Sequence, residues 1–219
     1  MMKKRDRIYL SVLIIDIFII YKYHKIIIKK QKKFINQFVS TLIEIIDLKD
    51  HYTKEHCCRV AFYCCKLANK MGLSSSQQEE VFYAALLHDI GKLGIPNSIL
   101  NKSDPLNDYE KCIMKQHVLI GEKILDHFQE MKHLKKYIKY HHERYDGSGY
   151  YYGKKAKEIP LVSRIIAVGD AYDAMNSNRC YRLALCQKKI IDELTEGCFH
   201  QFDGEIVQYM IEMIQKGEI

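Results

Sequence analysis

The chain has 219 residues, of which 47% are hydrophobic and only 14 are Gly or Pro, a balance that excludes a disordered or fibrous protein and allows one cored domain with an appendage. The net charge of +7 is not spread evenly. Residues 1–33 carry ten Lys or Arg against Asp6 and Asp16, and the remaining 24 basic and 25 acidic residues nearly cancel, so the charge does not point to a nucleic-acid polymer as partner. Eight cysteines occur without any CxxC spacing, four of them at 57, 58, 64 and 65 inside a helical pattern; they read as reduced thiols in a reducing compartment.

The first segment runs from MMKKRDR through an apolar stretch, Ile8 to Tyr23, into a basic cluster between Lys25 and Lys33. At about 1.5 Å per residue the stretch spans roughly 24 Å, short of a hydrocarbon core of about 30 Å. Asp16 adds a cost, whereas Lys22 and Lys25 can snorkel and Ile26 to Ile28 can extend the apolar length. The reading is a single hydrophobic helix that anchors the chain in the cell (inner) membrane through residues 8–28, with a helix lying on anionic lipid as the alternative. The heavier positive cluster after it places the rest of the chain in the cytoplasm. Residues 1–33 are thus an anchor-like segment and 34–219 the domain.

From Phe34 on, helical periodicity dominates. Phe34, Phe38, Leu42, Ile45 and Ile46 share one face. Helices are predicted over 54–71, closed by Gly72, and over 76–87, entered through Ser74-Ser75-Ser76. Further helices follow over 106–114, 117–128 and 134–142. A Gly- and Tyr-rich loop occupies 146–153, Pro160 opens a helix over 161–175, and amphipathic helices cover 187–196 and 204–216. No alternating run reads as a strand. The fold class is all-α.

Chemistry concentrates at Leu86-Leu87-His88-Asp89-Ile90-Gly91-Lys92. Imidazole and carboxylate are common ligands for iron, manganese or zinc, and a carboxylate can bridge two ions. Gly91 permits a close backbone approach, and Lys92 supplies a point charge suited to phosphate. By itself such a pair is also what chance puts at a helix end. His141 and His142 are consecutive at a helix terminus, where the macrodipole also favours solvated histidines. Asp170 sits in the apolar run Ile165 to Ala171, where a buried carboxylate needs a partner or a cation. His56 and His117 each stand near a helix start, equally open to a core or surface role.

Taken together, these residues resemble a known family. The pieces are Tyr52-Thr53-x-x-His56-x-x-Arg59-Val60, His88-Asp89-x-Gly91-Lys92, Gly94-Ile95-Pro96, Met114-Lys115-x-His117 with Gly121, and His141-His142-Glu143-Arg144-x-Asp146-Gly147-x-Gly149-Tyr150. With Asp170-Ala171-Tyr172-Asp173-Ala174, Arg179-x-Tyr181-Arg182 and Gln201-Phe202-Asp203, they resemble the HD-GYP subfamily of HD phosphohydrolases over residues 40–210. The resemblance implies a compact helical bundle around a metal centre that hydrolyses cyclic di-GMP. Its ligands would be His56, His88, Asp89, His117, His141, His142 and Asp170, with Asp89 bridging two divalent ions, iron or manganese. Lys92 would face the scissile phosphate; Gly149, Tyr150, Arg179 and Arg182 would contact the nucleotide; Asp50 and Asp173 would orient a ligand or a water. Two close cations activate water, clamp phosphodiester oxygens and stabilise the leaving alkoxide.

Three positions depart from the pattern. Tyr151 and Cys180 stand where prolines are expected, which frees a φ angle and loosens each loop. Tyr52 stands where members with three metals carry a Glu, so two metals are expected. The functional expectation is a cyclic di-GMP phosphodiesterase yielding pGpG or GMP. The alternatives are a catalytically silent cyclic di-GMP receptor and a hydrolase of another cyclic dinucleotide or nucleotide. With so little chain before the domain, regulation is expected from a homodimer, a signalling partner or the redox state of the metals.

Overall fold

The periodicity from residue 53 onward is realised as helices in a computed structural model, which describes residues 4–49, 53–178 and 183–219, with side chains from Leu13 on. Asp50, Tyr52, Arg179, Cys180 and Arg182 lie outside the described residues, so the readings made on them stay at the level of sequence. Among the described residues there is no β-strand, as the all-α reading requires.

The chain divides into two compact units, Met1–Thr41 and Leu42–Ile219. Helix α1 spans Lys4–Asp47. In the first unit its side chains present apolar surface on every side, with Leu13, Ile15, Ile17, Phe18, Ile19 and Ile20 all more than half exposed. The reading of a membrane-spanning anchor is not supported. Among the described residues no helix is long and apolar enough to cross a membrane. Asp16, Lys22, His24 and Lys25 interrupt the run, and the side chains of Ile8 to Val12 fall outside the description.

In the second unit the last turns of α1 bury Ile43 and Ile46. Helix α2, Thr53–Lys70, buries His56, Val60, Cys64 and Leu67, one face at steps of three and four. Gly72 ends it at φ +74°, a left-handed conformation that glycine adopts without a Cβ penalty, while the Leu73 N–H closes on the Ala68 carbonyl at 3.0 Å. Helix α3, Ser75–Leu87, starts from a capping box between Ser74 and Gln77. A short 3-10 turn at Ile90–Gly94 leads to α4, Asn97–Leu100, and α5, Asp108–Lys115, whose box pairs Asn107 with Glu110. Helix α6 covers His117–Asp126 and α7 Lys135–Lys139; the predicted helix over 134–142 therefore stops earlier and hands over to a turn. Helix α8, Leu161–Asn176, follows Pro160, and α9, Gln187–Glu196, and α10, Gly204–Gln215, complete the unit.

Helix α2 packs against both α3 and α8, and α6 packs on the 3-10 turn and on α7. That arrangement brings the start of α2, the end of α3, the start of α6, the end of α7 and the middle of α8 to one place.

Candidate metal centre

Each donor predicted from the sequence arrives there on a different element. His56 lies in the first turn of α2, His88 and Asp89 follow α3, His117 opens α6, His141 and His142 follow α7, and Asp170 is central in α8. The approach depends on Gly91. A Cβ there would come within 1.7 Å of the His117 carbonyl oxygen and 2.6 Å of the Gly121 nitrogen, so the Asp89–Lys92 segment can touch α6 only because residue 91 has no side chain.

The imidazoles are oriented by one repeated device. The Nδ1 of His88 bonds the Ala85 carbonyl at 2.7 Å, that of His117 the Met114 carbonyl at 2.7 Å, and that of His141 the Ile138 carbonyl at 2.6 Å. A carbonyl only accepts, so each ring carries its proton on Nδ1 and turns Nε2 into the site. His56 Nδ1 meets Asp173 Oδ2 at 2.8 Å, the carboxylate–histidine pairing that commonly stands behind a metal ligand. The result is a set of Nε2 atoms turned toward one another and toward the carboxylates. His117 Nε2 and His141 Nε2 face each other at 3.5 Å, and buried His88 Nε2 lies 3.3 Å from Asp89 Oδ2 without hydrogen-bond geometry.

These donors form two groups, each with its ligand atoms within 4.8 Å of one another: Asp89, His117, His141 and His142 in one, and His56, His88 and Asp170 in the other. His24, His127, His133 and His200 join neither. Asp89 connects the groups. Its Oδ1 lies 3.5 Å from His117 Nε2, whereas Oδ2 lies 3.3 Å from His88 Nε2 and 3.8 Å from His56 Nε2. Asp170 Oδ1 lies 3.2 Å from His56 Nε2. The seven predicted residues are thus brought together, and nitrogen and carboxylate donors at this spacing fit two divalent cations sharing one carboxylate.

The two groups differ electrostatically. Burial holds His117, His141 and His142 below the ordinary imidazole value, His142 down to about 3, so all three are neutral donors at pH 7. Burial also acts to lower His56 and His88, but the Asp170 and Asp173 carboxylates raise His56, and Asp89 raises His88 well above its ordinary value. A cation entering that side displaces protons. For Asp89 itself burial opposes ionisation, yet Lys92, His88 and His117 hold the carboxyl well below its usual range.

Lys92 is in the centre, its Nζ 2.7 Å from Asp89 Oδ2, so it is paired with the carboxylate that the resemblance makes a ligand. Asp173 is fully buried and accepts from Arg59 Nε at 2.6 Å as well as from His56. Arg59 stood in the sequence pattern, but no local signal marked it as a partner of a residue 114 positions away.

Beside the centre opens a cleft of about 630 Å³, lined by His142, Asp170, Gly149, Tyr150, Lys115 and Arg144 among others. Tyr150 stacks on His142 with ring centroids 4.6 Å apart, and the Lys115 ammonium lies 4.9 Å from the Tyr150 centroid. Gly149 and Tyr150, which the resemblance assigns to substrate contact, both line this cleft. Lys115 and Arg144 are further cleft cations that sequence reasoning passed over, although both occur in the quoted motifs. Tyr151, unlike a proline, keeps a backbone N–H. Its N–H donates to Glu143 Oε1 at 3.2 Å, and Asp146 Oδ1 accepts from the Ser148 N–H at 2.8 Å.

A helical bundle that turns five imidazoles and two carboxylates onto one point beside a polar cleft defines a metal-centre protein of the His-Asp type. The sequence model of the HD domain matches residues 40–206, and the chain belongs to the HD domain family, in its HD-GYP branch. It is 34% identical over 178 residues to 3'3'-cGAMP-specific phosphodiesterase 2 of Vibrio cholerae serotype O1, covering 80% of this chain and 34% of that protein. It is 34% identical over 194 residues to the cyclic di-GMP phosphodiesterase of Thermotoga maritima, covering 84% of this chain and 53% of that one. The chain spans between about a third and a half of the length of these curated relatives. Among solved structures, a cyclic GMP-AMP specific phosphodiesterase of V. cholerae superposes with a TM-score of 0.64 at 16% identity, over 83% of this chain and 49% of that chain, a likeness of fold.

Proposed function

We propose that the domain hydrolyses a phosphodiester bond of cyclic di-GMP, giving pGpG or GMP, with two divalent ions, iron or manganese, held by the seven donors. One observation carries this reading: Asp89 directs one oxygen toward His117 in one donor group and the other toward His88 in the second, and His141, His142 and Asp170 of those groups line the cleft. When bound, two such ions would lower the pKa of water and neutralise phosphate oxygens. The chain's own groups do the rest. His56 and His88 with Asp170 would hold one ion, and His117, His141 and His142 the other. Lys92, whose Nζ lies 2.7 Å from Asp89 Oδ2, would offset the charge that grows on a phosphate bound beside the centre. Tyr150 holds the nucleotide over His142, and Asp173 keeps His56 Nε2 aimed inward. A complete donor set favours catalysis over the silent receptor.

The relative named for 3'3'-cGAMP supports a second reading, in which cyclic GMP-AMP is the substrate. The test is product formation by protein purified without oxygen and loaded with iron or manganese, offered each dinucleotide in turn, with Asp89→Ala alongside. Turnover of cyclic di-GMP that vanishes in Asp89→Ala is the expected result. Binding without turnover at full metal occupancy would establish the receptor instead. The exposed apolar residues of the first unit, flanked by Lys22, Lys25, Lys29 and Lys30, suit adsorption to an anionic lipid surface on the cytoplasmic side, and we place the chain there.

A further inference from the structure

Glu143 follows the two cleft histidines in sequence, yet the residue is only 5% exposed and its Oε2 is buried. Its Oε1 accepts from two consecutive backbone donors, the Tyr151 N–H at 3.2 Å and the Tyr152 N–H at 3.1 Å. The loop is also pressed onto it from the other side. A Cβ on Gly149 would lie 2.5 Å from the Glu143 Cα and 2.9 Å from its Oε2, so the chain wraps this side chain closely through residues 149 to 152. Tyr150 sits between those contacts, and its ring is the one that stacks on His142. The remaining oxygen, Oε2, is buried with no hydrogen-bond partner. A carboxylate placed in that setting is costly unless its hydrogen bonds hold something the fold uses.

At residue 151 the family pattern has proline, which sets its own φ and has no N–H to donate. This chain has Tyr151, whose N–H ends on Glu143. We propose that Glu143 is a positioning residue. Its carboxylate ties loop 147–153 to the His141–His142 segment and so holds Tyr150 over the cleft, and the Tyr151 N–H restores by hydrogen bonding the order that the missing proline would have imposed. Both hydrogen bonds fall on one oxygen, so losing that oxygen would leave two loop amides without their acceptor. The link from loop to substrate rests on the reading of the cleft as a cyclic dinucleotide site; the tether itself does not.

The test uses the full chain with Glu143→Ala, Glu143→Asp and Glu143→Gln. The Asp side chain is one methylene shorter and cannot reach both N–H groups, whereas the Gln carbonyl can accept both. Amide hydrogen exchange of residues 147–153, measured without metal or substrate, is expected to quicken about tenfold or more at Tyr151 and Tyr152 in the Ala and Asp variants, and to stay within about threefold of wild type in Gln. With metal and cyclic di-GMP, KM is expected to rise about tenfold in Ala and Asp, with kcat within about twofold and metal content unchanged. If Ala fails to fold, Asp carries the comparison. Unchanged exchange in Asp overturns the tether. Faster exchange with unchanged KM, or loss of bound metal, overturns the positioning role. If the wild-type protein hydrolyses no cyclic dinucleotide while exchange behaves as expected, the proposed function falls and the tether stands.

Discussion

The Nε2 atoms of His117 and His141 lie 3.5 Å apart, and each ring already spends its Nδ1–H on a backbone carbonyl. In the neutral rings two lone pairs therefore face one another, and burial keeps both rings below the ordinary imidazole value. A cation between them removes the repulsion. Adding manganese to metal-free protein at about one hundred times its Kd is expected to stabilise the fold by about 2.7 kcal/mol for each site filled, read as a rise in Tm by calorimetry. In His141→Ala, elemental analysis is expected to find one ion per chain fewer than in the wild type. Loss of both ions together would show that the two donor groups do not act separately.

Gly169 and Cys64 make a steric pair one residue from Asp170. A Cβ at 169 would meet the Cys64 Sγ at 2.5 Å, while the next neighbours, on Val60 and Cys64 backbone, lie at 3.7 Å or beyond. Gly169→Ala is expected to cost about 1–3 kcal/mol in urea unfolding, because α8 must move away from α2. In a Cys64→Ala background the same change is expected to cost far less, giving a coupling of about 0.5–3 kcal/mol in the double-mutant cycle. Additive costs would mean that the helices separate for another reason.

Asp173 supplies a pH signature. Burial acts against its ionisation, but hydrogen bonds from His56 and Arg59 outweigh this and hold the carboxyl below its ordinary 3.8. A lowered acid contributes stability above 3.8 and loses it as pH falls through the lowered value. For His56, burial lowers and the Asp170 and Asp173 carboxylates raise, with a net rise above 6.5, so its share is fully present below 6.5 and is lost as pH climbs through the raised value. The stability difference between metal-free wild type and Asp173→Asn is therefore expected to be greatest between 3.8 and 6.5 and to shrink on either side. Its size should be about 1–3 kcal/mol, since Arg59 is partly solvated. Denaturant midpoints at a series of pH values check this, and a difference that grows steadily toward alkaline pH would refute it.

Much of this protein can be read along the chain. Gly72 at a left-handed φ, the Ser74 cap, Pro160 before α8 and the apolar face of α2 act within a turn or two, so residue order alone places the helices. Taken singly the histidines and aspartates were ambiguous in the sequence, and it was the resemblance to the HD-GYP pattern that named seven of them as donors; the structure brings those seven together. The N-terminal segment was legible only in part. Apolar content suggested a spanning helix, while the interruptions at Asp16, Lys22 and Lys25 leave no described helix apolar enough to cross.

Tertiary structure decided the rest. His56 and Asp173 meet across 117 residues, Asp89 divides its oxygens between donor groups carried by separate helices, and Gly91 admits His117 to the centre by having no Cβ. Lys92 is paired with Asp89, and the Tyr151 N–H ends on Glu143. The physical reason is range. Helix periodicity and caps are set by neighbours a few residues away, whereas ligand direction and loop order depend on which helices pack together, and no local pattern encodes that distance.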